Sequence, residues 1–531
     1  MYIHQRTSLS TAPRGRTGLL APVGSLILGA SSLLAVGACS SLPARPELPV
    51  ETELPVGHES RLDRILESSE TQHKGASGFR LATEGPEAFA LRVDSGQLTD
   101  RTLDVQTYIW HDDLVGRLLA QVVLNAADRG VKVRILLDDM DARADNDAFA
   151  ALAAHPHIEV RMFNPFASRA GTLAEIGDFM SSGKRLNHRM HNKTWIADNR
   201  VAIVGGRNLA EEYFGASGEG NYLDLEFVTI GPIVRDVSAS FDRYWNSAAV
   251  FPIATLSPKA VTPEALVRLR TKLTPAVEEA KTSRYADLLR RNDAIRRVID
   301  GDWPPIWTTE YRFVSDDPFK ASDKPGLERS SVLRVLEPVM RDSQSSLSLM
   351  SGYFVPGKEG TAWLTAVAKK GVRVSVLTNS LAANDVASVT GAYSEYRRQL
   401  LEGGVDLWEL KPQPGTKTSS AASGFKTTKM HTKALQADGR QLFVGSYNLD
   451  PRSTQLNCEQ GVLVSSPELA AQFDAMFTEY QSPAHAWRVV ISDGQLSWTD
   501  ATETFTRDPK ASAGKRFVAW LARVFHVEAE L

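Results

Sequence analysis

The chain has 531 residues, 43% hydrophobic and 23% charged, the make-up of an ordinary globular protein long enough for two or more domains. A net charge of −3 argues against a nucleic-acid binder, which usually carries a basic excess. Two cysteines, Cys39 and Cys458, exclude a disulfide framework and a cysteine-based zinc site.

Residues 1–16 hold Arg6, Arg14 and Arg16 and no acid, and "TGLLAPVGSLILGASSLLAVGAC" follows. A basic start, an apolar run and a small-residue ending make a secretory signal. The ending "VGAC" resembles a bacterial lipobox, in which Cys39 would carry the lipid and become the new N-terminus. An uncleaved anchor helix is the alternative, but Pro22, Gly24 and Gly29 make a poor, short span. Stable anchoring takes more than one lipid chain. Residues 40–75 begin Pro-rich and polar ("SSLPARPELPVETELPVGH"), which predicts an extended tether.

Two domains are predicted, at 76–254 and 306–500, because the segments echo one another in order. "FRLATEGPEAF" at Phe79 is echoed by "YRFVSDDPF" at Tyr311, and "LDVQTYIW" at Leu103 by "LSLMSGYF" at Leu347. An Ala-rich helical stretch comes next in each, then "RGVKVRILLD" or "KGVRVSVLTN", whose Val/Ile/Leu run suits a buried parallel strand. "HIEVRMFNP" and "GVDLWELKP" supply one further strand each. His155 and His157, flanking Pro156 just before, read as solvent-facing loop residues.

The closest echo is between "HNKTWIADNRVAIVGGRN" (191–208) and "HTKALQADGRQLFVGSYN" (431–448), both H-x-K-x4-D-x6-G-x-x-N. The offset is constant at 240, since 431−191, 438−198 and 448−208 agree. One such match in a chain this long is a roughly 10⁻⁴ event on average residue usage. Side chains alternate along a strand, so His191 and Lys193 share a side, as do His431 and Lys433. Asp198-Asn199-Arg200 and Asp438-Gly439-Arg440 have the chemistry of tight hairpins. Gly205 and Gly445 are read as letting the backbone approach a ligand. Asn208 and Asn448 close the motifs. His188 and His191 have H-x-x-H spacing, but no carboxylate is spaced to complete a metal site.

Residues 255–305 are charged and helical in pattern, a connector or lid whose charges form a solvated face. In the tail, 501–531, Phe517, Trp520, Leu521, Val524 and Phe525 fall on one helical face beside Lys515, Arg516 and Arg523. That face suits a lipid interface or packing on the second domain equally.

The duplicated motif resembles that of the phospholipase D superfamily, over about residues 75–530. "NPF", "RMHNK", "GGRN", "YFVP", "LTNSLAANDVA" (377–387), "ELKP" and "GSYNLDPRSTQLNCE" (445–459) resemble bacterial cardiolipin synthases of the C-type branch. The resemblance implies two pseudo-symmetric α/β/α domains forming one shared active site. It nominates Asp224 ("NYLDLEF") and Glu459 ("LNCEQG") as imidazole partners and gives Asp198 and Asp438 a turn-supporting role. Gly206 stands where the family often has the serine that Ser446 keeps. Cys458, next to Glu459, is read as a packed thiol.

The chemistry follows from the residue types. A phosphodiester repels anions, so a neutral imidazole is a suitable nucleophile near pH 7. A second histidine serves as acid and then base, while two lysines and two asparagines hold the phosphoryl charge without a metal or cofactor. The resemblance implies phosphatidyl transfer, with His191 as nucleophile, His431 as acid and base, phosphatidylglycerol as acceptor and a second phospholipid as donor, giving cardiolipin. Hydrolysis of lipid diesters is the alternative. A secreted nuclease with steeply salt-dependent binding and a silent scaffold are weaker rivals. The expected location is a bacterial membrane, facing the periplasm as a lipoprotein. Ser40 leans towards the outer membrane and the lipid substrate towards the inner.

Overall fold

The computed structural model describes residues 42–53, 55, 57, 59–142, 146–167, 183, 185–293, 295–296, 304–321, 330–412 and 427–525. Cys39 and the signal segment lie outside them.

The first half contributes strands β1 (Ser77–Ala82), β2 (Thr102–Thr107), β3 (Lys132–Asp138), β4 (Ile158–Phe163), β5 (Thr194–Ala197), β6 (Val201–Gly205), β7 (Asn221–Leu223), β8 (Glu226–Ile230) and β9 (Val250–Pro252). After the connector come β10 (Ile306–Thr308), β11 (Tyr311–Ser315), β12 (Ser346–Ser351), β13 (Arg373–Asn379), β14 (Asp406–Leu410), β15 (Thr427–Met430), β16 (Lys433–Ala437), β17 (Gln441–Gly445) and β18 (Gln460–Ser465). The last three are β19 (Ala486–Ser492), β20 (Gln495–Thr499) and β21 (Thr504–Phe505).

One large sheet has the order β10-β1-β8-β6-β5-β2-β3-β4-β9 and the other β11-β18-β17-β16-β12-β13-β14-β19-β20-β21, and β15 and β7 pair as a third, two-stranded sheet. Eight strands of each large sheet follow the same plan, from β1 to β9 in one and from β11 to β19 in the other, with β10 added to the first sheet and β20 and β21 to the second. In each, a parallel trio (β2-β3-β4 or β12-β13-β14) is extended by antiparallel strands. The trio's central strands β3 and β13 are buried beyond their first residue, as their unbroken apolar runs require. The boundary at 306 is crossed in space, because β10 pairs with β1 and edges the first sheet.

The two sheets meet through a common core. Phe79, Val204 and Phe227 of the first half cluster with Leu442, Val444 and Val462 of the second. The pseudo-symmetric halves are therefore one packed body, and a shared site can be rigid.

In the connector, helices Pro263–Lys281 and Arg284–Arg291 are capped by the hydroxyls of Thr262 and Ser283. Ala265, Leu269 and Leu273 are buried with the first half's outer helix layer, and outward charges such as Glu278 and Lys281 face solvent. His155 departs from expectation. It is buried at 8% exposure, with Nε2 3.1 Å from Asp128 Oδ1, and Asp128 also binds Arg270 at 2.6 Å. That carboxylate draws the ring inward; His157 alone of the pair is exposed.

Of the predicted tether, the described residues before 60 hold no helix or strand, and Arg61–Gln72 forms a helix. The part before the helix is strapped to the first half. Arg45 donates to Val250 O (2.8 Å) and Ser247 O (3.1 Å), and the Glu51 and Glu53 amides bond Asn246 and Asp242. Proline-rich composition sets extension, and these polar anchors set position.

Candidate active site

His191 and His431 sit just ahead of β5 and β16, and the opposite half holds each in place. The His191 amide donates to Cys458 O (2.9 Å), and Met190 bridges Cys458. The His431 amide donates to Leu223 O (2.8 Å), and β15 runs parallel to β7. Cys458 and Leu223 immediately precede Glu459 and Asp224. Each histidine loop is thus docked on the segment that carries a carboxylate of the other half.

The imidazole partners are consequently exchanged between halves. His191 Nδ1 lies 2.9 Å from Glu459 Oε2 and 3.1 Å from Ser446 O, and His431 Nδ1 lies 2.7 Å from Asp224 Oδ2. A carboxylate accepts only, so Nδ1 carries the proton and Nε2 the lone pair in each neutral ring. The ring centroids are 6.4 Å apart, with no Nε2 bonded to a side chain among the described residues.

Lys193 and Lys433 fold back so that each ammonium donates to the carbonyl of its own motif histidine, Lys193 at 2.6 Å. The asparagines differ. Asn208 Oδ1 accepts from Ile109 N (3.2 Å) and its Nδ2 donates to Tyr213 (2.8 Å), whereas the buried Asn448 Oδ1 has no hydrogen-bond partner among the described residues.

Burial sets the electrostatics. Desolvation pushes the imidazolium of His191 down in pKa and that of His431 to about 4, opposed in each by the bonded carboxylate. Desolvation likewise pushes Lys193 to about 7 and Lys433 to about 8. Asp224 and Glu459, although desolvated, are held low by their histidines. Burial thus disfavours the charged form of all four bases, which suits the site to an anion. A bound anion favours the charged lysines, raises both pKa values and takes up protons. Affinity for such an anion should therefore fall as pH rises above about 7–8. Titration of the full chain with tungstate at pH 8, in buffers of differing ionisation enthalpy, is expected to show uptake of about one proton. Zero uptake would contradict this reading of the lysines.

The two carboxylates are seated differently, which explains Gly206. A Cβ there would come 2.3 Å from Asp224 Oδ1, so a serine would collide with the short acid. In the other half Ser446 donates to Glu459 Oε2 at 2.5 Å, and Ser453 donates to Oε1 at 3.0 Å. Gly205 and Gly445 are also sites of close approach by protein. A Cβ at either would strike the adjoining backbone, 2.4 Å from Leu225 O and 2.3 Å from Gln460 O.

Asp198 and Asp438 are spent on backbone. Asp198 accepts from the amides of Asp100, Arg101 and Thr102, and Asp438 from those of Gln344, Ser345 and Ser346. The hairpins need left-handed backbone at Asp198 (φ 54°), Asn199 (56°), Asp438 (55°) and Gly439 (64°). His188 bonds Leu456 O at 3.1 Å through Nδ1. Cys458 is fully buried, and burial pushes its thiol up to about 12. His111, Asp113 and Glu212 come within mutual ligand reach, but Asp113 already accepts from the amides of Gly116 and Glu211.

Several site residues escaped the sequence reading. Tyr108 packs edge-on to His191 (5.3 Å between centroids), while Tyr213 and Tyr222 pack on His431 (5.1 and 5.4 Å). Asp138 accepts from Met190 N, and Asn379 brackets Met430 through both amide atoms, so each aims the following histidine. A signal for these last two was present, since both end the third strand of their repeat.

Two crossed histidine–carboxylate pairs with two lysines, on duplicated α/β halves, define a phospholipase D-type phosphodiester site. A family profile described as "Cardiolipin synthase, PLD-like domain" matches residues 97–245 and 336–481, more than half the chain. The chain belongs to that family, and is an enzyme of the phosphatidyltransferase class within the phospholipase D superfamily. It is 39% identical over 469 residues to cardiolipin synthase C of Escherichia coli K12, covering 86% of this chain and 97% of that one. It is 24% identical over 402 residues to cardiolipin synthase A of Pseudomonas syringae, covering 75% and 67%. In fold it resembles the crystal structure of a phosphatidylserine synthase from Haemophilus influenzae, with TM-score 0.55, 12% identity, and coverage of 88% and 99%.

Proposed function

We propose that the chain moves a phosphatidyl group from one phospholipid to a second through phosphatidyl-His191, with phosphatidylglycerol as acceptor and cardiolipin as product. The observation that carries this is the crossed pairing, which commits both Nδ1 atoms to carboxylates and leaves two Nε2 atoms for one phosphoryl group between the rings. The names of the family relatives support the lipid substrate.

In the first step His191 Nε2 bonds phosphorus, the bond to the donor's head alcohol breaks, and His431 as imidazolium gives its proton to the departing oxygen. His431 Nε2 then takes the proton of the acceptor hydroxyl, whose oxygen bonds phosphorus as the P–N bond breaks. Lys193 and Lys433 neutralise the phosphoryl oxygens, and the uncommitted amide of Asn448 is better placed to join them than that of Asn208. The enzyme works at a membrane on its periplasmic side, anchored at Cys39, and takes no nucleic acid.

Purified protein given labelled phosphatidylglycerol together with a second labelled phospholipid is expected to release a head alcohol and form a diphosphatidyl lipid. Phosphatidic acid as the sole labelled product would replace transfer with hydrolysis.

A further inference from the structure

The C-terminal helix, Ala513–Val524, is packed inside out for a globular protein. It is capped by the Ser512 hydroxyl, which accepts from Lys515 N at 3.2 Å. The side it turns to the second half is small. A Cβ at Gly391 would lie 2.3 Å from Ala519 O, and Ala522 is only 5% exposed. The opposite arc is large and apolar: Phe517 is 58% exposed, Val518 45%, Trp520 49%, Val524 47% and Phe525 71%. Exposed Arg516 and Arg523 flank it. A helix serving only the core would bury its aromatic residues and expose its alanines. Packing of the apolar face on the second domain is thus not what the structure has: the small face packs on the domain and the apolar face is offered outward.

Position gives that face a meaning. Lys515 Nζ donates to Ala382 O (2.8 Å) and Asn384 O (2.6 Å), in the segment that follows β13 at the end where Asn379 aims His431. The next residue, Asp385, accepts the hydroxyls of Tyr222 (3.0 Å) and Tyr353 (3.1 Å), and the Tyr222 ring packs on His431. The helix therefore stands at the rim of the active site. Lys429, 5.6 Å from the Tyr222 ring centre, adds positive charge there.

The strap leads to the same end of the molecule. Arg45 is fastened to Val250, which pairs with Phe163 at the active-site end of β4. From there the chain runs away, past Asp242 to Pro55, whose carbonyl accepts from Arg101 ahead of β2. Arg45 thus lies at the active-site end of the first sheet.

We propose that the arc Phe517–Phe525 is a docking face for a bilayer with anionic headgroups, seating the mouth of the active site on the lipid surface. This rests on the phospholipid reading of the site. The aromatic and aliphatic side chains would enter the headgroup boundary, with Arg516 and Arg523 meeting lipid phosphates. The helix lies along the surface; no helix among the described residues is long and apolar enough to cross a membrane.

The test uses the full chain with spin labels at Phe517→Cys or Phe525→Cys. The control is Ile65→Cys, which is 55% exposed on helix Arg61–Gln72, beside the far end of the strap. On vesicles of phosphatidylglycerol and phosphatidylethanolamine, labels at 517 and 525 should become inaccessible to a water-soluble relaxant and accessible to oxygen, while the label at 65 stays aqueous. A label at 525 as aqueous as that at 65 overturns the proposal. Shielding at 525 that grows with protein concentration without vesicles overturns it in favour of contact between copies. Phe517→Ser/Trp520→Ser/Phe525→Ser should lower turnover of vesicle lipid about tenfold or more, with turnover of a monomerically dispersed short-chain phospholipid unchanged. If the parent turns over no phospholipid, the functional reading falls, and the label depths still decide the docking face.

Discussion

His191→Ala and His431→Ala are each expected to lower turnover about 10⁴-fold or more, because nucleophile and acid act as one unit. The two should differ in what accumulates. With a donor whose leaving group needs little protonation, His431→Ala should still form a phosphatidyl adduct on His191 and then stall, since no base remains to activate the acceptor. His191→Ala should form none. Rapid quench and peptide mapping read the adduct directly. An adduct on residue 431 reverses the assignment, and none with either variant rules out a covalent route. The near-identity of the motifs gives no preference between the rings. The asymmetry lies around them: Gly206 with Asp224 on one side, Ser446 and Ser453 with Glu459 on the other.

Asp224→Asn and Glu459→Gln should each cost about 10²–10⁴ in kcat as positioning residues, and their pH profiles should separate them. Burial pushes both imidazoles down in pKa, and the bonded carboxylate holds each up. Removing the carboxylate charge lets the pKa fall further. A nucleophile must be neutral, so Glu459→Gln should move the acidic limb of kcat/KM, set by His191, to lower pH. An acid must be protonated, so Asp224→Asn should move the alkaline limb, set by His431, to lower pH. Equal losses with unmoved limbs would sink the claim that these carboxylates act through the rings. Because each carboxylate serves the other half's histidine, neither half expressed alone should turn over substrate.

The constant offset of the motif and the matching strand runs determined the duplication, the α/β class and the chemistry-bearing residues. Those are local properties: periodicity fixes which face a side chain takes, and residue type fixes what it can accept, donate or attack. The family resemblance nominated Asp224 and Glu459, but not which histidine each would touch. That was decided by the tertiary structure, where the loop before β5 docks at Cys458 and the loop before β16 docks at Leu223. The same contacts bury six ionisable groups together, two histidines, two lysines and two carboxylates, and shift their pKa values, an effect of burial and mutual charge that no linear pattern contains. Gly205 and Gly445 were legible as sites of close approach, and the structure shows adjoining backbone, Leu225 and Gln460, packed against them. A Pro-rich stretch that reads as a tether is strapped down by partners about 200 residues away, Asn246 to Glu51 and Asp242 to Glu53. The heptad-like arc of the last helix was plain in the sequence. Which side faced the protein depended on Gly391, whose missing side chain lets the backbone at Ala519 close in and leaves the aromatic arc outward.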